Sequence, residues 1–352
     1  MAQGNLDIAF EQPFYLKGRQ YYTDAVAIQN PLEWLRTFTA NQGSFQMHTN
    51  THPPFVVLLH YYILEVFGGS ILGLGVTLFL ISSLFFLILN RILKNFDFQL
   101  QRRKEILLLS AIIPSVNIYL LVSIDGVILM TSSLVLLAVS RIHNKKSIDI
   151  VSFLYAFSSI ILTNILSFSG LFLFAFIGIY ALYFILKKEF SYLWFTTILF
   201  LWYILTFVVL YIVFGYNHLQ TFLHASSSEN PGGFMLLHNP YIYFWTRFQA
   251  VGEILMFLSL GITALFFSGK KYYIEMFSSS EANAIFLSSI TALILMFLSG
   301  AYGTGETARA CLFIVPFFLI LFKEIKKETF HIVYFLCLFQ TFGMQLIGNY
   351  FW

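Results

Sequence analysis

Long apolar stretches alternate with short polar connections along almost the whole chain after residue 53. A helix needs about 20 apolar residues to cross the roughly 30 Å hydrocarbon core of a bilayer. Ten stretches approach or reach that length, so the pattern predicts an all-α, polytopic membrane protein with about ten transmembrane helices. They are residues 70–93, 105–121, 124–141, 149–166, 168–186, 191–214, 249–268, 283–299, 307–322 and 329–347.

An eleventh apolar stretch, residues 54–67, is shorter than the others. As a helix it would reach only about 21 Å at 1.5 Å per residue, which is too short to cross a bilayer comfortably. We interpret it as an interfacial or half-inserted helix. The alternative is a short true span.

Basic residues predict the orientation of the helices. Fifteen of the 20 Lys and Arg residues lie in alternate connections. They are Arg91, Lys94, Arg102, Arg103, Lys104, Arg141, Lys145, Lys146, Lys187, Lys188, Lys270, Lys271, Lys323, Lys326 and Lys327. Cytoplasmic loops carry an excess of basic residues, so these connections are predicted to be cytoplasmic.

This alternation divides the chain into two regions. Residues 1–53 are predicted to be an extracytoplasmic segment, and residues 54–352 a transmembrane domain with a long outer loop at 215–248. Both termini then lie on the outer side of the membrane. Residues 1–53 contain no hydrophobic stretch that could carry them across, so we expect a preceding helix to be missing from this sequence.

Composition supports the same class of protein. The chain of 352 residues is 58% hydrophobic and 11% charged, whereas soluble domains carry about 25% charged residues. The two cysteines, Cys311 and Cys337, lie in apolar stretches and imply no disulfide framework. No phosphate-binding glycine motif occurs, and no nucleic-acid partner is expected.

The sequence THPPF at Thr51–Phe55 marks the junction between the polar segment and the first apolar stretch. His52 could bind a ligand there, or its ring could cap the helix that Pro53 and Pro54 begin. Asp24, upstream in YYTDAVAI, could be catalytic or a solvated loop acid.

Further ionisable residues fall on the predicted outer side, where a charge at membrane depth needs a reason because it is costly. Asp125 in VSIDGV could act at a site or be a helix N-cap. Glu306 and Arg309 in GAYGTGETARA are three residues apart and could pair with each other, or bind phosphate at the start of a helix. The long outer loop adds His218, His224, Glu229, His238 and Arg247, which lack metal-ligand spacing.

Several features in this order resemble a known superfamily. They are an acid in the outer segment (Asp24 or Asp7), the junction Thr51–Pro54, Asp125 after the stretch containing Pro114, the multi-helix apolar body, and the C-terminal sequences Tyr302–Arg309 and Gln340–Trp352. Together they resemble a bacterial branch of the GT-C superfamily of polyprenyl-phosphate-sugar-dependent glycosyltransferases, similar to protein O-mannosyltransferases and the lipid A aminoarabinose transferase. Those proteins often carry an Asp-Glu pair in the outer segment, whereas Asp24 is followed by Ala25.

The resemblance implies transfer of a sugar from a polyprenyl-phosphate donor to a lipid, glycan or protein acceptor, with inversion. Asp24 would be the base, and Asp125 would orient the acceptor or help to bind a divalent metal ion. The phosphate would be bound by His52 and Arg309, with Arg247 and Glu306 as further donor-site candidates. No other cofactor is implied.

The main rival interpretation is a transporter or flippase for a lipid-linked or small solute. Such proteins often show internal repeats and charges near the middle of the membrane. Here no repeat occurs and the polar groups collect on one side. A glycan polymerase or ligase and a non-catalytic scaffold are further alternatives.

Overall fold

The computed structural model of the chain describes residues 10–15, 21–120, 122–267, 280–301 and 306–348. Within these ranges all regular structure is helical and no strand occurs. The predicted all-α class is therefore confirmed.

The α-helices are numbered here in chain order through the described residues. They are α1 (Tyr21–Val26), α2 (Pro31–Asn41), α3 (Met47–Thr51), α4 (Phe55–Val66), α5 (Ile71–Asn95), α6 (Leu100–Ile112), α7 (Pro114–Tyr119), α8 (Ile124–Lys145), α9 (Ile150–Leu166), α10 (Leu171–Leu186), α11 (Ser191–Phe214), α12 (His218–Glu229), α13 (Met235–His238), α14 (Pro240–Leu258), α15 (Leu260–Phe267), α16 (Ser280–Leu298), α17 (Thr307–Ala310), α18 (Val315–Leu319) and α19 (Lys327–Ile347). Short 3-10 turns occur at Gln12–Phe14, Gln42–Ser44, Phe168–Gly170, Leu312–Ile314 and Ile320–Lys323.

Six helices in the described part of the chain are long and apolar enough to cross a membrane. They are α5, α8, α10 with its preceding turn, α11, α16 and α19, and a seventh span results if α14 and α15 count as one. Other predicted segments form shorter pieces: 105–121 divides into α6 and α7, 149–166 is the 17-residue α9, and 307–322 is α17, α18 and turns. The count of ten spans stays a prediction.

The stretch predicted at 54–67 is the 12-residue helix α4. At 1.5 Å per residue it is about 18 Å long, shorter than a bilayer core. It begins directly after Pro54, which occupies the N-cap position without a side-chain cap. Its position relative to a membrane stays a prediction.

Helix α8 lies at the centre of the bundle, packed against α5 and α9. Small hydroxyl side chains line the α8–α9 contact: Ser159 Oγ donates to the Thr131 carbonyl at 2.8 Å, and the Thr131 and Thr163 hydroxyls lie 3.0 Å apart. Such side chains let two helix backbones approach closely in an apolar medium. By contrast, α11 buries only Phe195 and Leu199 and lies at the periphery.

The break between α6 and α7 is stabilised by α19. Pro114 lacks an N–H and begins a new helix, so α6 ends with free carbonyls. The Ile112 carbonyl accepts hydrogen bonds from Thr341 Oγ1 at 2.6 Å and Cys337 Sγ at 3.2 Å. A free backbone group in a membrane interior requires such a partner.

A second break bends the chain by 112° between α14 and α15. Ser259 at the bend has a φ of 108°, outside the range of a helix. Gln340 of α19 satisfies both sides: its Nε2 donates to the Met256 carbonyl and its Oε1 accepts from Leu260 N–H, each at 2.7 Å. Polar side chains of α19 therefore form hydrogen bonds with the free backbone groups at both breaks.

Helices α1 to α4 pack with α12 at one end of the bundle. The buried Gln42 connects them, because its Nε2 donates to the carbonyls of Asn50 at 2.6 Å and Thr221 at 3.1 Å. The hydroxyls of Thr39 and Thr221 lie 3.1 Å apart. These bonds join the polar segment before α4 to the loop after α11.

Candidate functional site

A cavity of about 1150 Å³ lies where these two regions meet the helix bundle. Its walls come from distant parts of the chain, including α3, the start of α8, α12 and α17. This volume exceeds the roughly 300–1,000 Å³ of common small-molecule pockets.

An ionic cluster at the cavity wall consists of Asp125, Arg309 and Glu306. Arg309 Nε lies 3.3 Å from Asp125 Oδ2, and Arg309 Nη2 donates to Glu306 Oε2. The Asp125 carboxylate also accepts a hydrogen bond of 2.6 Å from Ser123 Oγ. One guanidinium therefore contacts two carboxylates, and Asp125 and Arg309, which are 184 positions apart in sequence, meet here.

Local backbone geometry explains how Asp125 reaches this position. Ser123, and not Asp125, is the N-cap of α8, because Ser123 Oγ accepts from Asp125 N–H at 3.0 Å. The alternative of Asp125 as the N-cap is thus wrong. Gly126 follows, and a Cβ there would lie 2.5 Å from the Leu120 carbonyl oxygen and 2.6 Å from Ser82 Oγ. Only glycine lets the start of α8 pack this closely.

Arg309 is held in place by the short helix α17. Glu306 precedes this helix with a φ of 58°, a left-handed conformation that is uncommon outside glycine and is often found at functional sites. Glu253 of α14 accepts a hydrogen bond of 3.0 Å from Ala308 N–H. A carboxylate inside an apolar helix thus anchors the backbone that carries Arg309.

Three histidines surround the buried Tyr21 beside the cavity. The Tyr21 ring lies 5.8 Å from His48, 5.6 Å from His52 and 5.7 Å from His60, measured between ring centroids. All four residues line the cavity. An aromatic–imidazole cluster of this kind fixes the orientation of the rings on α1, α3 and α4.

His52 lies at the junction predicted from Thr51–Phe55. Its Nδ1 lies 3.0 Å from the His48 carbonyl and 3.2 Å from Thr51 Oγ1, so the ring turns back to α3 and does not cap α4. Burial lowers the pKa of His52 to about 4, although Asp125 opposes this shift. At neutral pH its ring is uncharged and can contribute hydrogen bonds but no positive charge.

Glu229, the last residue of α12, also faces the cavity. Its carboxylate lies beside the Thr51 hydroxyl. Partial desolvation by the surrounding protein raises the pKa of Glu229, and the negative charge of Glu306 raises it further. Glu229 is therefore easier to protonate than an ordinary glutamate.

One part of the cavity is polar and another apolar. The polar residues are His48, Thr51, His52, Asp125, Ser226, Ser227, Glu229, Asn230, Glu306 and Arg309. The apolar residues include Leu171, Phe172, Ala175, Leu295 and Met296, contributed by the adjacent helices α10 and α16. Such a cavity suits a ligand with one polar and one apolar end.

Two predicted site residues lie outside the cavity wall. Asp24 Oδ2 accepts a hydrogen bond of 3.0 Å from Gln46 N–H. Burial raises the pKa of Asp24, and the hydrogen bond from Gln46 opposes the shift. Asp24 thus supports the start of α3, whose residues His48 and Thr51 reach the cavity.

Arg247, the second of these, is a buried residue of α14 that faces the end of α16. It donates from Nη1 to the Ala301 carbonyl, and its guanidinium carbon lies 5.2 Å from the centre of the Tyr243 ring. The first contact connects α14 to the segment that follows α16, and the second lies within α14. The structure therefore brings together His52, Asp125, Glu306 and Arg309 but leaves Asp24 and Arg247 apart from them.

Several sequence features lie outside the described residues: Asp7, Tyr302, Gly303, Gly305 and Trp352. Among the residues that are described, no group of three or more His, Cys, Asp or Glu side chains is arranged to hold a metal ion.

Three residues at or near the site were not predicted from the sequence: Glu253, His60 and Tyr119. Tyr119, on α7, lies near the charged side chains of Arg309, Glu253 and Asp125. Glu253 is the single charged residue of the predicted span 249–268, and the cost of a charge at membrane depth would have identified it. His60 could have been identified in the same way, because histidine is also rare in apolar helices, whereas Tyr119 gives no such signal.

In comparisons with known proteins, no family model, curated protein or solved structure matches the chain.

Proposed function

We propose that this protein is a membrane glycosyltransferase that moves a sugar from a polyprenyl-phosphate donor to an acceptor. The observation that carries the proposal is the amphipathic cavity, in which the Asp125–Arg309–Glu306 cluster shares a wall with apolar residues of α10 and α16. A lipid-phosphate sugar has a matching chemistry, with a charged, hydroxyl-rich end and an apolar chain.

Arg309 is the donor-site residue of this proposal. Arginine binds phosphate through a planar fork of donors, and stabilising the leaving phosphate lowers the barrier to transfer. Because Arg309 already contacts Asp125 and Glu306, an incoming phosphate replaces one of these contacts or uses the remaining donors. His52 contributes a neutral hydrogen bond.

The proposal includes an orientation. Ten crossings with the basic connections in the cytoplasm put the cavity at the extracytoplasmic face of a bacterial plasma membrane. Residues 48–52 and 306–309 then lie on the same side. Labelling of single cysteines at Thr51 and Ser299 with a membrane-impermeant maleimide in intact cells tests this, and labelling of only one of them contradicts the shared site.

Transfer is tested with purified protein in liposomes. The probes are radiolabelled hexose and pentose donors on undecaprenyl phosphate, with membrane lipid extract and peptides as acceptors. Arg309→Met is expected to reduce transfer by about 10²–10³-fold, in the range seen when a transition-state charge donor is removed. Arg141→Met is the matched control, because Arg141 forms a comparable ion pair with Asp149 away from the cavity. Equal activity of both variants would contradict the proposal.

A transporter of a lipid-linked solute is the second candidate, favoured by the broken helix at Ser259. Discontinuous helices build substrate sites in many transporters. However, Gln340 occupies both ends of this break, and neither Ser259 nor Gln340 lines the cavity. Movement of a fluorescent undecaprenyl-phosphate sugar across the liposome bilayer, without transfer, would favour this candidate.

A further inference from the structure

The reaction proposed above requires a group that takes a proton from the acceptor hydroxyl. Such a group must reach the cavity, and its carboxylate must be free of cations that would weaken it as a base. Three acids suggested by the sequence meet these conditions to different extents.

Asp24 fails on position, because it does not line the cavity and its carboxylate accepts a hydrogen bond from Gln46 N–H. Asp125 lines the cavity, but its Oδ2 binds both Arg309 and the Ser123 hydroxyl. That oxygen is therefore already occupied by two partners, and an acceptor hydroxyl would have to compete with both for it.

Glu229 meets both conditions. It lines the cavity, it ends α12 beside Thr51 of α3, and the described residues show no ion pair to its carboxylate. Hydroxyl and amide groups that suit a sugar or other polar acceptor surround it, from Ser226, Ser227 and Asn230.

We infer that Glu229 is the general base that activates the acceptor, an inference that rests on the proposed function. In this step the Glu229 carboxylate takes the proton of the acceptor O–H. The acceptor oxygen forms a bond to the anomeric carbon as the bond from that carbon to the phosphate oxygen breaks. The bonding electron pair leaves on the lipid phosphate, near Arg309.

The electrostatic surroundings of Glu229 agree with this role. The other ionisable groups that line the same cavity are Tyr21, His48, His52, His60, Asp125, Glu306 and Arg309. Of these, Glu306 acts on Glu229 most directly and raises its pKa, as partial desolvation does. A raised pKa brings a carboxylate closer to the pH at which a general base is most effective.

The first experiment compares transfer by Glu229→Gln, Glu229→Asp and the control Glu65→Gln. Glu65 is an exposed glutamate at the end of α4 and does not line the cavity. We expect Glu229→Gln to lose about 10²–10⁴-fold in transfer, and Glu229→Asp to retain part of it. Glu65→Gln is expected to match the wild type, and binding of undecaprenyl phosphate should change less than threefold in all variants.

Azide separates a base from a structural residue. As an acceptor it carries no proton to remove, so Glu229→Gln is expected to form glycosyl azide at the wild-type rate. If azide and hydroxyl acceptors are equally slow in this variant, or if it keeps normal transfer to hydroxyls, Glu229 is not the base. If the wild type binds undecaprenyl phosphate but transfers no sugar to either acceptor, the proposed function itself is wrong, and the inference with it.

Discussion

Removing the guanidinium of Arg309 tests the ionic cluster directly. Arg309→Met leaves the Asp125 and Glu306 carboxylates without their shared cation. The Arg309 and Asp125 side chains are only 17% and 15% exposed, whereas Glu306 is 27% exposed and regains more water. Breaking a buried pair by removing one partner costs about 3–5 kcal/mol, so we expect destabilisation near the lower end, about 3 kcal/mol.

The attraction between the two charges bounds this value. At the 3.3 Å separation of Arg309 Nε and Asp125 Oδ2, an effective dielectric constant of 20 gives about 5 kcal/mol before desolvation is subtracted. Desolvation offsets much of this attraction. The Arg309→Met and Asp125→Asn double mutant should therefore be less destabilised than the sum of the single variants, with a coupling of about 2 kcal/mol.

The assay is equilibrium unfolding by dodecyl sulfate in mixed micelles, followed by tryptophan fluorescence. The Arg141–Asp149 pair is a matched comparison, with 2.7 Å separation and side chains 19% and 25% exposed. Lys145 also binds Asp149 at 2.8 Å, so Arg141→Met should cost about 1 kcal/mol or less. Additivity of Arg309→Met and Asp125→Asn within about 0.5 kcal/mol would refute the coupling.

Three further predictions concern Asp24, Gln340 and His52. Asp24→Asn keeps an oxygen that can accept from Gln46 N–H. The free energy of unfolding should therefore change by less than about 1 kcal/mol, and sugar transfer should persist. A loss of transfer with unchanged stability would instead make Asp24 catalytic. Gln340→Leu frees the Met256 carbonyl and the Leu260 N–H, which lie at an exposed face of the bundle. In lipid or detergent these groups find no water as a replacement partner, so the variant should cost about 2–4 kcal/mol in the same unfolding assay, at about 1–3 kcal/mol for each unsatisfied group; Gln340→Glu, which keeps the acceptor, should cost less. His52 has a folded pKa of about 4 against an ordinary value of 6.5, so the unfolded state binds more protons between these values and stability should fall as pH drops from about 6.5 to 4. Other buried histidines contribute as well, so His52→Gln should make that part of the stability–pH curve less steep, and an unchanged slope would contradict the buried neutral ring.

The positions of the cluster residues could be predicted in part from the sequence. Asp125, Glu306 and Arg309 are rare charges at the ends of apolar stretches, and such charges need partners. That Arg309 pairs with Asp125 as well as with Glu306 was not predictable, because the pairing depends on how α8 and α17 pack. The roles of Asp24 and Glu229 depend on the same packing.

The hydrophobic pattern and the low charge content are sufficient to predict a helical, membrane-type chain, because few charges cannot cover a surface in water and apolar stretches of helix length must satisfy their backbone polar groups internally. The positions of the helix breaks and the set of acids that share a cavity depend on tertiary packing. Gln340 and Thr341 stabilise breaks in segments far away in sequence, and α12 brings Glu229 to Thr51. Such contacts arise from the packing of whole helices, which local sequence patterns do not encode.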